Sequence, residues 1–407
     1  MPELFLTIFF ISILLIFLGT GIWVSLSMVG VSAIGMFLFT SRPVGDAMAT
    51  TIWGTSSSWT LTALPLFVWM GEILFRTKLS ENLFKGLAPW MSRLPGGLIH
   101  VNVVGCALFA AISGSSAATV ATVGKMSIPE LRKRNYPEKL LLGSLAGSGT
   151  LGLLIPPSII LIIYGVTVQE SIAKLFIAGI IPGIMIAIFF MFYVIGWSMM
   201  NKNSMPKMDE TFSLFQKIKQ SGQLIPVIVL IAAVIGSIYV GIATATEAAS
   251  LGVVGALILS FFQKSLTKET FKLSLLGATK TSCMIAFILA GSAFLSLAMG
   301  FTGLPRNLAI WINEMKLSPY VLIMVLTLFY IILGMFLDGI SAVVLTMAII
   351  EPMIRQAGFD MIWFGVFLVI VVEMAQITPP VGFNLFVLQG MANKDMGFIA
   401  KSAFPLF

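Results

Sequence analysis

Two stretches of this chain carry the same punctuation. Pro129, Pro156, Pro157 and Pro182 recur at a constant offset of 223 residues as Pro352, Pro379, Pro380 and Pro405. Proline fixes its own φ and removes a backbone donor, so four of them in one ungapped register mark the same breaks in two copies of one plan. The offset also lays Met1 on Leu224 and the cluster Ser113 to Ser116 on Phe336 to Gly339, so that Ser115 and Ser116 answer to Asp338 and Gly339. A fold for this chain has to accommodate a first repeat over 1–200, a polar linker over 201–223 and a second repeat over 224–407.

The segments between the prolines decide the solvent. Hydrophobic residues are 58% of the chain and charged residues 10%, with a mean hydropathy of +1.02, whereas soluble domains carry about 25% charged residues. A bilayer is crossed by helices of about 20 apolar residues or by closed barrels. Uninterrupted apolar runs, with no ten-residue alternation, predict an all-α polytopic membrane protein embedded in lipid. The net charge of +7 is then assigned to cytoplasmic loops; no basic stripe interleaved with aromatics marks a nucleic-acid partner. Cys106 and Cys283 lie in apolar runs and read as small core residues, while a lone His100 without HExxH or CxxC excludes zinc chemistry. The N-terminal apolar run has no basic region before it and no small-residue cleavage site after it, and reads as a retained span.

Taken in order, Leu4 to Thr40 is interrupted at Gly19-Thr20-Gly21 and gives two helices or one sharply bent one. Ser41 to Ser57 and its image Lys264 to Lys280 read as loops, the first nearly uncharged and the second with four lysines, hence on opposite sides of the membrane. A span over Trp59 to Phe75 precedes a cytoplasmic loop with Arg76, Lys78, Lys85 and Arg93. Residues 98–129 form a first re-entrant hairpin, its arms Leu98 to Ile112 and Ala117 to Ile128 each too short to cross alone. Arg132, Lys133, Arg134 and Lys139 return it to the cytoplasm. A helix over 140–164 is broken at Gly147 to Gly152 and Pro156-Pro157. The second half repeats this with a hairpin over 320–352 and a broken helix over 362–389, interrupted at QITPPVG. An odd number of crossings per half makes the two repeats inverted. Pro182 is followed by an apolar run to Met200, yet only Leu406 and Phe407 follow Pro405, which predicts a further final helix beyond this chain.

Inverted repeats with broken helices are the sequence sign of a secondary transporter. Freed carbonyls and hydroxyls suit a hard cation such as Na⁺, and exposed helix N-termini suit an anion. The candidates in the first copy are Ser113, Gly114, Ser115 and Ser116, facing Gly147, Ser148, Gly149 and Thr150 with Pro156 and Pro157. In the second they are Asp338, Gly339 and Ser341, facing Gln376, Thr378, Pro379, Pro380 and Asn384. The alternative for SGSS is a small-residue packing face, and for Asp338 a helix cap. A carboxylate inside an apolar hairpin is nevertheless a functional hypothesis by default. Glu72 is expected to pair with Arg76 at i+4, Glu247 to serve structure, Glu373 to support the second site, and Lys125 to anchor at the interface. Trp53, Trp59, Trp90 and Trp311 read as an interfacial belt. An intramembrane aspartyl enzyme would need two carboxylates in reach of each other, and Asp338 with Glu373 is the pair available.

ALPLFVWMGEIL (Ala63 to Leu74), SGSSAATVATVG, GSGTLGLLIPPSI, TATEAAS and ITPPVGFNLFV, in this order, resemble the large membrane subunit of tripartite ATP-independent periplasmic (TRAP) transporters. The resemblance implies an elevator-type, Na⁺-coupled importer of a small organic acid in the bacterial inner membrane. It also implies a small Q-type membrane subunit and a periplasmic substrate-binding protein as partners. The family's cation sites fall on the residues already chosen, and Ser115, Gly149, Asp338 and Thr378 are the expected Na⁺ ligands. A stand-alone ion-coupled carboxylate carrier is the alternative of the same architecture.

Overall fold

The computed structural model describes residues 2–76, 79–206, 213–222, 224–303, 307, 310 and 318–407; Lys78 and Trp311 lie outside them. In lipid every backbone polar group must be satisfied internally, and the described residues are helices and short connections with no strand among them. Helices α1 (Pro2–Gly19) and α2 (Val24–Phe39) part at a turn where Gly21 takes φ +82°. The long first apolar segment is thus two helices. Next come α3 (Val44–Ser56), a 3-10 turn at Trp59–Thr62, α4 (Ala63–Phe75) and α5 (Leu79–Met91). α3 meets the following segment at 51°.

The first repeat continues with a helical hairpin of α6 (His100–Ser113) and α7 (Ser116–Lys133), then α8 (Glu138–Gly149), the short α9 (Leu151–Leu154), α10 (Ile159–Val168) and the long α11 (Ile172–Met200). The linker contains α12 (Leu214–Ser221). The second half holds α13 (Ile225–Tyr239), α14 (Ala245–Phe262), α15 (Lys268–Thr302), α16 (Pro319–Gly334), α17 (Gly339–Gln356), α18 (Met361–Ala375), α19 (Phe383–Ala392) and α20 (Met396–Ala403). Shifted by 223, the bounds of α7 become those of α17. Pro156–Pro157 and Pro379–Pro380 are both cis.

Several stretches expected as loops are helical. Ser41 to Ser57 is largely α3, Lys264 to Lys280 opens the 35-residue α15, and α5 occupies much of the loop expected after Arg76. Their polar residues had signalled solvent, but polarity on one helical face does not break a helix. Thr267 starts α15 with a capping box, its hydroxyl accepting from Thr270 N at 3.0 Å while Thr270 Oγ1 accepts from Thr267 N at 2.8 Å. The repeat of the α3–α4 bend is therefore one continuous helix in the second half.

The two halves interlock. α4 packs on α14 and α15, and α2 and α3 also lie on α15. On the other side α7 packs on α19, α8 on α20, α10 on α17, and both α9 and α11 on α18. Each hairpin thus leans on the broken helix of the opposite half. The most apolar window of Glu138–Val168 is 83% buried against 28% for Ile172–Met200, so the broken helix is interior and α11 faces outward. Among the described residues five stretches are by length and composition able to cross a membrane, or seven if each of two bent pairs is one span.

Candidate functional site

Hairpin one turns on two residues. Gly114 ends α6 in the left-handed region at φ +57°, a conformation costly for residues with a Cβ. Ser115 then caps α7, its Oγ accepting from Ala118 N at 3.4 Å. Ser113 Oγ lies 2.9 Å from Thr119 Oγ1, and Thr119 Oγ1 donates to Ser115 O at 2.8 Å, closing the tip on itself. The break in the first broken helix holds this tip from behind. Ile159 N donates to Gly114 O at 3.4 Å, and a Cβ on Gly152 would lie 2.6 Å from Ser115 O and Ser116 Cα. Glycine at 152 is what lets the two backbones meet.

Hairpin two is built the same way with a different cap. Asp338 starts α17 by accepting from Ser341 N at 3.2 Å through Oδ2. Gln376, 1% exposed, donates from Nε2 to Leu337 O at 3.5 Å, and its carbonyl accepts from Asn384 N at 3.2 Å. Val381 N donates to Met335 O at 3.3 Å, tying the second break to the second tip.

Both tips open on one cavity of 1220 Å³, lined by Ser113 to Ser116, Asp338 to Ser341 and Gln376 together with residues of α2, α4 and α15. Two helix N-termini, those of α7 and α17, therefore end at the same space, where their partial positive charge favours an anion. The remaining sequence candidates lie elsewhere. Gly149 packs against Val120 and Asn384, Gly147 against Leu406, and Thr150 Oγ1 donates to Gly147 O at 2.6 Å. Thr378 Oγ1 donates to Ala375 O at 2.7 Å and does not line the cavity. Of the four expected Na⁺ ligands, Ser115 and Asp338 share the cavity, while Gly149 and Thr378 stand outside it. Pro157 reaches the tip only through its carbonyl, close to Gly114, and Pro156, Pro379 and Pro380 shape the breaks without lining the cavity.

Behind the tips lies a group of buried polar atoms without partners. Asn384 has neither Nδ2 nor Oδ1 engaged, Ser148 Oγ is free, and both carboxylate oxygens of Glu373 lack a hydrogen bond of ordinary geometry. Leaving such atoms unsatisfied costs about 1–3 kcal/mol each, so a structure retains them where something else uses them. Asn384 sits beside Gly149, and the Ser116 hydroxyl faces Glu373. Glu373 and Thr150 line a second, smaller cavity of 340 Å³. Asp338 thus lines the main cavity and Glu373 the smaller one, and no contact between them is found among the described residues.

The lone charges resolve individually. Glu72 pairs with Arg76 at 2.9 Å, as its i+4 spacing predicts, and it also lines the main cavity. Glu247 forms a capping box with Thr244, a structural role. Trp90 donates to Ser221 Oγ at 2.6 Å and lies under Lys217, fastening α5 to α12. Cys106 is buried as expected, but Cys283 is exposed and lines the cavity together with Lys280, which corrects its reading as a core residue: position 283 falls on the face of α15 that borders the cavity. Lys280 was overlooked because it read as the end of a loop.

Residues 9–407 match the family model of the tripartite ATP-independent periplasmic transporter, DctM component. The chain is 31% identical over 374 residues to the C4-dicarboxylate TRAP transporter large permease protein DctM of Pseudomonas aeruginosa, covering 92% of this chain and 87% of that one. It is 29% identical over 395 residues to the isethionate TRAP transporter permease protein DctMQ of Oleidesulfovibrio alaskensis, covering 96% of this chain and 61% of the relative. Among solved structures, the YdaH transporter of Alcanivorax borkumensis superposes with a TM-score of 0.66 at 12% identity, over 100% of this chain and 94% of that one, a likeness of fold.

Proposed function

The chain belongs to the DctM component family of tripartite ATP-independent periplasmic transporters, a multi-pass membrane transporter and not an enzyme, and from that premise we propose that it imports a small organic acid across the bacterial inner membrane, driven by Na⁺. The observation that carries the reading is the meeting of both hairpin tips at one cavity, one tip capped by the Ser115 hydroxyl and the other by the Asp338 carboxylate. A hard cation takes oxygen ligands; Asp338, Ser115 and tip carbonyls supply them on the cavity side. The unpartnered oxygens of Asn384 and Ser148 supply a second set near Gly149. The substrate anion sits between, against the N-termini of α7 and α17.

In this reading the two repeats are inverted in the membrane, and the transport body is the hairpins with the broken helices, α6 to α10 and α16 to α20. It moves as an elevator against a scaffold of α1 to α4 and α13 to α15, whose face on the main cavity is supplied by α2, α4 and α15. A periplasmic binding protein delivers the substrate, and a small Q-type subunit enlarges the scaffold. The DctMQ relative supports the second partner, since this chain spans 61% of it. Relatives named for a C4-dicarboxylate and for isethionate agree in the sign of their charge rather than in skeleton, which supports a small organic anion as the class.

The test is uptake of a radiolabelled panel of carboxylic and sulfonic acids into proteoliposomes holding this chain with its small partner. It is run with and without a Na⁺ gradient and with and without the binding protein. Uptake that needs both establishes the tripartite Na⁺-coupled importer; uptake indifferent to Na⁺ refutes the coupling.

A further inference from the structure

We propose that Lys280 admits the anion to the cavity and sets its charge selectivity, an inference that rests on the transport reading above. Lys280 stands exposed on α15 in the lining of the cavity on which both hairpin tips open. Among the described residues three charged side chains line this cavity, Glu72, Lys280 and Asp338. Glu72 is already neutralised, because its Oε2 accepts from Arg76 Nε at 3.0 Å and lies 2.9 Å from a second guanidinium nitrogen. It also lies against α15 one turn before Lys280, since a Cβ on Gly277 would stand 2.6 Å from Glu72 Oε2. The carboxylate nearest to hand on that helix face is therefore committed to Arg76. No ion pair of Lys280 is found among the described residues.

What is left is one positive charge at Lys280 and one negative charge at Asp338. With Asp338 bare the two offset each other across the cavity. With Na⁺ at Asp338 the negative charge is neutralised and the field of Lys280 is uncompensated, so the cation loads first and the anion second. An ammonium is a compact point charge with three donors and asks for no planar, bidentate acceptor. The class it admits is small carboxylates and sulfonates, with neutral and cationic solutes excluded.

Cys283 provides a reporter within the same wall, three residues on from Lys280 and exposed, while Cys106 is buried. The experiment compares the alkylthiolation rates of Cys283 by an anionic sulfonatoethyl and a cationic trimethylammonioethyl methanethiosulfonate. It uses the full chain in proteoliposomes, with the labelled site identified by peptide mass. Taking the ratio of the two rates cancels any effect of Lys280 on the thiol itself. In the wild type the ratio favours the anionic reagent, rises when Na⁺ replaces choline, and collapses at high salt, where the Debye length shrinks. In Lys280→Gln it falls roughly tenfold, since a nearby unit charge moves the two reagents several-fold in opposite directions; Lys280→Arg retains it. A ratio unchanged in Lys280→Gln overturns the proposal, as does a wild-type ratio indifferent to both Na⁺ and salt. Because the readout involves no transport, a failure of Na⁺-driven uptake would leave this result standing and would count only against the transport reading.

Discussion

The two hairpin tips share a backbone and differ in chemistry. Ser115 and Asp338 occupy one position of the repeat, each caps the helix that follows, and those helices have identical bounds under the shift of 223. Yet the first cap is a neutral hydroxyl and the second a carboxylate. Hairpin one is closed on itself by Ser113 and Thr119 and held from behind by Gly152, while hairpin two is tied mainly through Gln376 and Val381 to its broken helix. Hairpin one does have a carboxylate within reach, but it comes from the opposite half, because Ser116 faces the buried Glu373. The two tips therefore agree in backbone and differ in charge.

Substitutions sharpen this contrast in descending order of effect. Asp338→Asn removes the one charge carried by a tip, and the Na⁺ concentration for half-maximal uptake should rise at least ~10-fold, the loss of a charge-assisted contact of about 1.5–3 kcal/mol, with the protein still folded and inserted. Unchanged uptake at limiting Na⁺ would show that the two caps are equivalent after all. Gly152→Ala places a methyl against the backbone of hairpin one, and overpacking of this kind costs about 1–3 kcal/mol. Thermal unfolding in detergent should register it, and a stability equal to the wild type would mean that the first tip is not held as rigidly as argued. Glu373→Gln replaces the carboxyl that stands behind the first tip; its expected shift in half-maximal Na⁺ is several-fold, smaller than that of Asp338→Asn, and a larger one would reverse the ranking of the tips. Ser115→Ala removes the cap, worth typically ~1 kcal/mol, and one neutral oxygen of the proposed cation set; it is expected to lower stability by about that amount and to change Na⁺ dependence least, since a hydroxyl carries no charge.

Much of this arrangement was legible in the sequence because prolines, glycines and caps act locally. The four repeated prolines located the breaks, SGSS and Asp338-Gly339 located the tips, and Glu72 with Arg76 declared their pairing by spacing alone. What escaped depended on contacts between distant segments. Lys280 reaches the cavity only because α15 runs unbroken from Lys268 and packs on α4. Cys283 is exposed for the same reason. Asn384 and Gly149, chosen as ligands facing the tips, instead meet each other behind them, since side-chain direction on a broken helix follows from how its halves pack and no spacing in the sequence records that. Thr378 turns its hydroxyl back to its own helix, a common fate of threonine near a helix end that leaves no mark on the pattern.

The central claim is that the two repeats bring their tips to one site from opposite faces of the membrane. Single cysteines at positions 115 and 339, in a Cys283→Ser background, labelled from each side of oriented vesicles with a membrane-impermeant maleimide, test it most directly. The account predicts that position 115 is reached from the cytoplasm in inward-facing states and position 339 from the periplasm in outward-facing ones. Labelling of both positions from the same side only, in every state, would contradict it.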